Sequence, residues 1–270
     1  MALPNVITLT TDFGHQGGYV GALKGVIVSI NPKVRIVDIT HEIGPQNISE
    51  GAFTLLVNYR YFPKNTVHVA VVDPGVGSNR KIICAKTPSG VFIGPDNGIF
   101  SPILEREGNV EVYEISNPKV FLPVISNTFH GRDKMAPAAA HVSNGFAIEK
   151  LGPKLSAWKR THFDVPVLQK DSISGKIINI DRFGNLITNI TGEDIRRIGS
   201  QGALSVRIKN KRIPKMVRFF NEVPKGELLA IIGSSNFVEI AKNLGSAQSA
   251  LKARINDPVK IQKVKRSRRG

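Results

Sequence analysis

Thr66-Val-His-Val-Ala-Val-Val72, followed at once by Asp73-Pro-Gly-Val-Gly-Ser-Asn-Arg80, is the stretch that decides how this chain folds. The first seven residues are almost continuously apolar and end in a Pro/Gly turn cluster, which reads as a short strand covered on both faces. Such a strand belongs to an α/β layer with helices above and below it. Working outward, Val6–Thr10 is a strand, and Tyr19, Leu23, Val26, Ile27 and Ile30 recur at helical spacing until Asn31-Pro32 stops the helix. A strand at Val34–Ile39 and a helix over Ile48–Tyr61 lead into the Thr66 run. After it come strands at Lys81–Lys86, Val91–Gly94 and Val110–Ile115, and helices at Ile99–Arg106 and Arg132–Ser143.

From about Asp171 the rhythm changes. The runs Gly175–Ile180, Leu186–Ile190, Ala203–Ile208, Glu227–Ile232 and Phe237–Ala241 are short, β-rich and separated by Gly, Pro and Asn. The expected organisation is an α/β N-terminal domain over residues 1–160, with a central mostly parallel sheet and flanking helices. A linker over 161–170, a small C-terminal β-barrel-like domain over 171–257 and a flexible basic tail over 258–270 complete it.

At 41% hydrophobic and 21% charged, the 270 residues exclude a disordered or collagen-like chain. The net charge of +16 raises the question of an anionic partner. Residues 1–160 carry 16 basic and 12 acidic side chains, whereas residues 252–270 carry 8 and 1, so much of the excess is terminal. The tail, with no aromatic residue for base stacking, implies at most weak, nonspecific contact with nucleic acid. Cys84 stands alone, which excludes an intramolecular disulfide framework and a thiolate zinc cluster and suits a reducing cytoplasm. No signal peptide or membrane-length apolar run is present, so a cytoplasmic location without membrane attachment is expected.

Two motifs mislead. His41-Glu42-Ile-Gly-Pro45 begins like a zinc-protease signature but has Pro where the second His belongs, so no metal is expected there. Gly14-His-Gln-Gly17-Gly18 lacks both the dinucleotide spacing and the Gly-Lys-Ser/Thr of a phosphate loop. More telling are polar clusters placed just after strands, where ligands of open α/β sheets bind: Thr11-Asp12-Phe13-Gly14, Asp73 to Arg80, and Phe129-His130-Gly131-Arg132-Asp133 at a helix start.

Those three clusters, with Gly94-Pro-Asp-Asn-Gly98 and Asp181-Arg-Phe-Gly-Asn185-Leu-Ile-Thr-Asn189 in this order, resemble the S-adenosyl-L-methionine (SAM) hydrolases, or SAM hydroxide adenosyltransferases, relatives of the fluorinating and chlorinating SAM enzymes. The resemblance runs from about residue 5 to about residue 255. It implies hydrolysis of SAM to adenosine and L-methionine with no metal or cofactor, in a homotrimer that binds SAM between one subunit's N-terminal domain and its neighbour's C-terminal domain. By the same resemblance Asp73, Arg80 and His130 form the catalytic set, and Asp12 binds the ribose. Asp181, Asn185, Phe220, Ser234, Ser235 and Glu239 are the C-terminal substrate contacts. The halide-using relatives have Tyr where this chain has Asp73, and the fluorinase has Ser where it has Gly131, which favours water as the nucleophile. A SAM- or adenosine-binding regulator with little turnover and a halogenating enzyme are the alternatives.

The chemistry suits these residue types. C5′ beside a sulfonium is an electrophile with a neutral thioether leaving group, so placing an oxygen nucleophile in line supplies most of the catalysis, ~7–11 kcal/mol. Forming free hydroxide at neutral pH costs ~12 kcal/mol from the pKa of bulk water, 15.7. A guanidinium offsets part of that cost electrostatically, so Arg80 is read as the stabiliser of the nucleophile, Asp73 as its orienter, and His130 as hydrogen-bonding partner or base. Asp12 suits two ribose hydroxyls and Asn185 an adenine edge. Phe220 is either an adenine stack or core. Asp181 ranks before Glu239 as receiver of the methionine ammonium, with a turn carboxylate the alternative for each.

Overall fold

The computed structural model describes residues 5–161, 164–199, 201 and 204–264, and the chain divides into two compact units, Met1–His162 and Phe163–Gly270.

In the N-terminal unit six strands form one mixed sheet in the order β2-β1-β3-β5-β4-β6. They are β1 (Val6–Thr11), β2 (Arg35–Thr40), β3 (Thr66–Val71), β4 (Ile82–Lys86), β5 (Gly90–Pro95) and β6 (Glu111–Glu114). The pairings β2·β1, β1·β3 and β3·β5 are parallel, while β4 runs antiparallel to both β5 and β6. Helices α1 (Tyr19–Ile30), α2 (Ile48–Asn58), α3 (Ser101–Glu107) and α4 (Ala136–Ser143) cover it. Every residue of β3 is buried, as its almost continuously apolar character requires. Val67, Val69 and Val71 pack with Leu23 and Ile27 of α1 and the alanines of α4. The alternate residue His68 turns to the other face, stacked on Phe92 and beside Tyr59.

β1 lies between β2 and β3, so the chain leaves β1 for one side and returns on the other. That reversal of strand order opens a crevice at the carboxyl ends of β1 and β3, the usual ligand position in such sheets. Thr11 pairs in register with Val71, so Asp12 and Asp73 emerge from the same edge one and two residues beyond a matched pair.

The helix expected over Arg132–Ser143 starts differently. Gly131–Met135 is a π-helical turn that feeds α4. A π turn inserts an extra residue and is common at functional sites; here it begins directly after His130, which lines the crevice.

The C-terminal unit holds β7 (Val167–Gln169), β8 (Ser172–Ile180), β9 (Leu186–Thr191), β10 (Leu204–Ile208), β11 (Lys211–Ile213), β12 (Met216–Val217), β13 (Leu228–Ile232), β14 (Phe237–Lys242) and β15 (Pro258–Lys263). The order β11-β10-β15-β8-β9-β14-β13-β12 curls until β10 approaches β12, giving a nearly closed barrel around Ile173, Leu186, Val206, Ile240 and Ile261.

Three expectations are corrected. Residues 258–263 are not tail: β15 pairs with both β8 and β10 and buries Val259 and Ile261. Its period-2 pattern, Val259 and Ile261 inward against Lys260 and Gln262 outward, was hidden by Lys260 and by Lys263 at the strand end. The remainder of the supposed tail, residues 265–270, lies outside the described residues. Within the expected linker, residues 162 and 163 also lie outside them, and Val167–Gln169 forms β7 against β8. Finally, helices α5 (Gly192–Ile198) and α6 (Ala247–Leu251) interrupt the β run. The capping box of Thr191 with Asp194 marks the start of α5 in the sequence itself.

Candidate active site

The loop after β3 folds back on itself through two tight turns: Val76 N–H donates to the Asp73 carbonyl and Ser78 N–H to that of Gly75. Gly77 makes this possible with a φ of 81°, where a Cβ would stand 2.4 Å from the carbonyl oxygen of Asn127. The reversal returns Arg80 to Asp73. Arg80 Nε donates to Asp73 Oδ1 at 2.8 Å, and its Nη2 donates both to Asp73 Oδ2 and, at 3.1 Å, to His130 Nδ1. The Arg80 and Asp73 side chains are only 9% and 5% exposed, so this is a bidentate pair largely withdrawn from solvent.

The arrangement fixes the state of His130. A guanidinium only donates, so Nδ1 must accept and the neutral ring carries its proton on Nε2. Burial, together with the nearby Lys134 and Arg80 cations, lowers the pKa of His130 below the ordinary histidine value. At neutral pH the ring is therefore a hydrogen-bond donor through Nε2, not a ready base.

Asp12, Asp73 and His130 line one cavity of about 280 Å³ with Phe13, Gln46, Val71, Pro74, Val76, Thr128, Phe129 and Gly131. Asp12 Oδ2 accepts from the backbone N–H of Gln46 at 2.8 Å, which leaves its other oxygen open to a ligand. Phe13, Tyr19 and Phe129 form an aromatic cluster with ring centres 5.4 to 5.8 Å apart. Asp133, fully buried, accepts from Arg132 Nε and from the N–H of Ser126, tying the Ser126–Phe129 loop to the π turn. Sequence reasoning missed Gln46, which follows the dismissed His41–Pro45 segment and contributes by its backbone, a role no side-chain pattern reveals.

That segment does serve the site. His41 is buried, its Nδ1 2.8 Å from Thr11 Oγ1 and its Nε2 3.2 Å from Asp38 Oδ1. Its carbonyl also accepts from Gly14 N–H at 2.7 Å. With both ring nitrogens and the carbonyl facing protein groups, His41 braces the loop that carries Asp12.

In the C-terminal unit Asp181 is a turn carboxylate. Oδ1 accepts from the N–H groups of Phe183 and Asn185, and Oδ2 from Asn185 Nδ2 at 2.8 Å. It thereby presents Asn185, whose amide oxygen stays available. Glu239, half-buried on β14, has no hydrogen-bond partner among the described residues, and burial followed by the Asp181 charge raises its pKa. Phe220 opens a 3₁₀ turn and is 40% exposed, beside the more exposed Phe219, so neither is core. Ser234 and Ser235 occupy the turn between β13 and β14, Ser234 exposed and Ser235 partly so.

Among the described residues no three His, Cys, Asp or Glu side chains gather as metal ligands, and no helix is long and apolar enough to cross a membrane.

The family models for the SAM hydroxide adenosyltransferase N-terminal and C-terminal domains match residues 7–152 and 175–260. A protein of Methanocaldococcus jannaschii named (R)-S-adenosyl-L-methionine hydrolase is 38% identical, with 95% of each chain covered. A protein of Nocardia brasiliensis named Fluorinase is 28% identical over 95% of this chain and 97% of its own. A crystal structure of an uncharacterized conserved protein from Thermotoga maritima superimposes with a TM-score of 0.90 at 36% identity, covering 96% of this chain and 100% of that one. With both of its domain models matched in order and over most of its length, the chain belongs to the SAM hydroxide adenosyltransferase family.

Proposed function

We propose that this protein hydrolyses S-adenosyl-L-methionine to adenosine and L-methionine. The observation that carries the reading is the Asp73–Arg80–His130 chain, whose two end members line one cavity with Asp12. Water gives up one proton to bulk solvent, the resulting hydroxide-like oxygen bonds to C5′, and the C5′–S bond breaks with its electron pair going to sulfur. An anionic oxygen meeting a sulfonium cancels charge, so a site of low polarity favours the transition state over the separated ions.

Arg80 and the Nε2–H of His130 are donors, and donors stabilise hydroxide character rather than remove a proton from water. The geometry therefore favours a hydroxide-like nucleophile over general-base attack through His130. Asp73 locks the guanidinium in place by two hydrogen bonds. Its charge is already matched by Arg80, so electrostatic repulsion by Asp73 contributes little to excluding halide. Asp12 receives the ribose hydroxyls and Asn185 an adenine edge. Phe220 stacks on adenine and Ser234 and Ser235 line the methionine end. Glu239, half-buried and without a hydrogen-bond partner among the described residues, is a better receiver for the methionine ammonium than Asp181, whose oxygens hold the turn.

Neither metal nor cofactor is needed in this scheme, and the working unit is a homotrimer in the cytoplasm. Support for the trimer is the family resemblance alone; light scattering of the purified protein tests it. The reaction is tested by incubating the protein with each sulfonium epimer of SAM in H₂¹⁸O, with and without a chelator. Adenosine carrying ¹⁸O at its 5′-oxygen, from the (R) epimer and insensitive to the chelator, is expected. No adenosine above background, or formation unaffected by Arg80→Ala, refutes the proposal.

A further inference from the structure

We propose that the outer face of the C-terminal sheet is a second binding site, which takes the phosphate backbone of a nucleic acid. It is independent of the SAM chemistry and uses none of the residues assigned to it.

The site follows from strand register. Arg207 on β10 pairs with Arg212 on β11 and, on its other side, with Lys260 on β15, which in turn pairs with Ser174 on β8. Residues directly opposite across a sheet share a face, so three cations stand in a row over roughly 10 Å, two strand spacings. All three are exposed, while the alternate residues Val206, Ile208, Ile213, Val259 and Ile261 point into the barrel core.

Like charges placed directly opposite one another destabilise a sheet, and nothing among the described residues relieves them. Each nearby carboxylate is committed elsewhere: Asp171 to Lys263 at 2.7 Å, Asp257 to Lys209 at 3.0 Å, and Asp164 to Lys176. From residue 204 to 218 the chain carries Arg207, Lys209, Lys211, Arg212, Lys215 and Arg218 and no acidic residue. An open cavity of about 640 Å³ lies against this face, lined by Arg212, Lys260, Lys263, Gln262 and Ser172 among others.

The neighbours of the cations identify the partner. The next row on the face is Ser205, Gln262 and Ser172; Ser205 and Ser172 are buried, Ser172 donating to Gln169 Oε1 at 2.9 Å, so the polar groups open beside Lys260 are the half-buried Gln262 and Ser174. Gln262 and Ser174 suit hydrogen bonds to phosphate oxygens and ribose, whereas insertion into a membrane surface needs apolar side chains between the cations. No aromatic residue interrupts the rows, so bases are not stacked and the binding is sequence-independent. Residues 265–270 add Lys265, Arg266, Arg268 and Arg269 directly after this face, which places the site and the terminal charge in one continuous basic region of sequence.

The test is fluorescence anisotropy of a labelled 20-base-pair DNA duplex of mixed sequence, titrated with the full chain across a salt series. The triple variant Arg207→Gln/Arg212→Gln/Lys260→Gln is compared with wild type and with a chain ending at Val264. Three lost phosphate contacts make the slope of log K against log salt shallower by about 2.7 and weaken binding by about tenfold or more at 0.1 M salt. Adenosine formation by the triple variant stays at the wild-type rate, which separates failure of this site from failure of the SAM reading. As a second readout on the unaltered protein, the duplex slows acylation of Lys260 by an amine reagent at low salt. The proposal is overturned if the triple variant binds within threefold of wild type while loss of residues 265–270 abolishes binding. It is overturned equally if phosphatidylserine vesicles capture the protein at lower concentration than the duplex does, or if Lys260 acylates at the same rate with and without DNA.

Discussion

Replacing Arg80 with lysine keeps the positive charge and removes the geometry, and so isolates what the guanidinium does. Arg80 spans two partners at once, Asp73 through Nε and Nη2 and His130 through Nη2. A lysine has one nitrogen on a flexible stem and cannot reproduce the planar fork. It keeps the ion pair with Asp73 and loses at least the bond to His130 Nδ1, a hydrogen bond from a charged donor worth about 1.5–3 kcal/mol. At 1.36 kcal/mol per factor of ten this is a fall of roughly 10- to 150-fold in kcat/KM. The loss should appear in kcat rather than KM, because Arg80 positions the nucleophile and Asp12 the ribose. The assay is the initial rate of adenosine formation against SAM concentration, with circular dichroism to verify folding. If the nucleophile has hydroxide character, raising the pH recovers part of the lost rate by supplying more hydroxide. A kcat/KM within threefold of wild type in a folded Arg80→Lys protein would refute the role given to the fork.

Other outcomes follow from the same contacts. Asp12→Asn should raise KM more than it lowers kcat, since the change weakens acceptance of ribose hydroxyls while Asp73, Arg80 and His130 keep their bonds; steady-state kinetics check this. His130 has its pKa lowered in the folded protein, so its ring should stay neutral, with its proton on Nε2, down through pH 6.5 and take up a second proton only below that; ring ¹⁵N chemical shifts that show protonation already above pH 6.5 contradict this tautomer. His68, buried and stacked on Phe92, has its pKa depressed to about 4. Its unfolded state takes up a proton near pH 6.5 that the folded state refuses until about 4, so acidification across that window costs about 3 kcal/mol of stability. Denaturant titrations at pH 7 and pH 4.5 should show the slope, and His68→Gln should flatten it. A chain ending at Val264 should fold, whereas one ending at Asp257 loses β15 with its two buried side chains and its ladders to β8 and β10; a cooperative thermal transition in the shorter chain would sink that reading.

The α/β character of the first unit, the barrel character of the second and nearly every strand of the first were legible in the sequence. The reason is that a strand buried on both faces must be largely apolar, as Thr66–Val71 is apart from Thr66 and His68, and turns must carry Gly, Pro or Asn, as Asp73–Asn79 does. What misled was local signal outweighed by context. Lys260 and the strand-end Lys263 made a central strand look like a solvated tail, because the outward positions and the ends of a barrel strand are free to be charged. Asp181 and Glu239 looked alike as carboxylates; only their partners, three donors for the first and none among the described residues for the second, set them apart.

By itself the sequence determined which residue types gather after strand ends, and hence the reaction class they suit. The tertiary structure decided what those residues are to one another. Parallel pairing of Thr11 with Val71 brings Asp12 and Asp73 to one edge, and a reversing loop returns Arg80 to Asp73. The guanidinium then assigns the tautomer of His130, turning a residue that spacing left as partner or base into a donor. Strand register likewise set Arg212, Arg207 and Lys260 side by side although they lie up to 53 positions apart in the chain. Proton position and charge adjacency depend on distances of a few ångströms across non-local contacts, and those exist only once the sheet has formed.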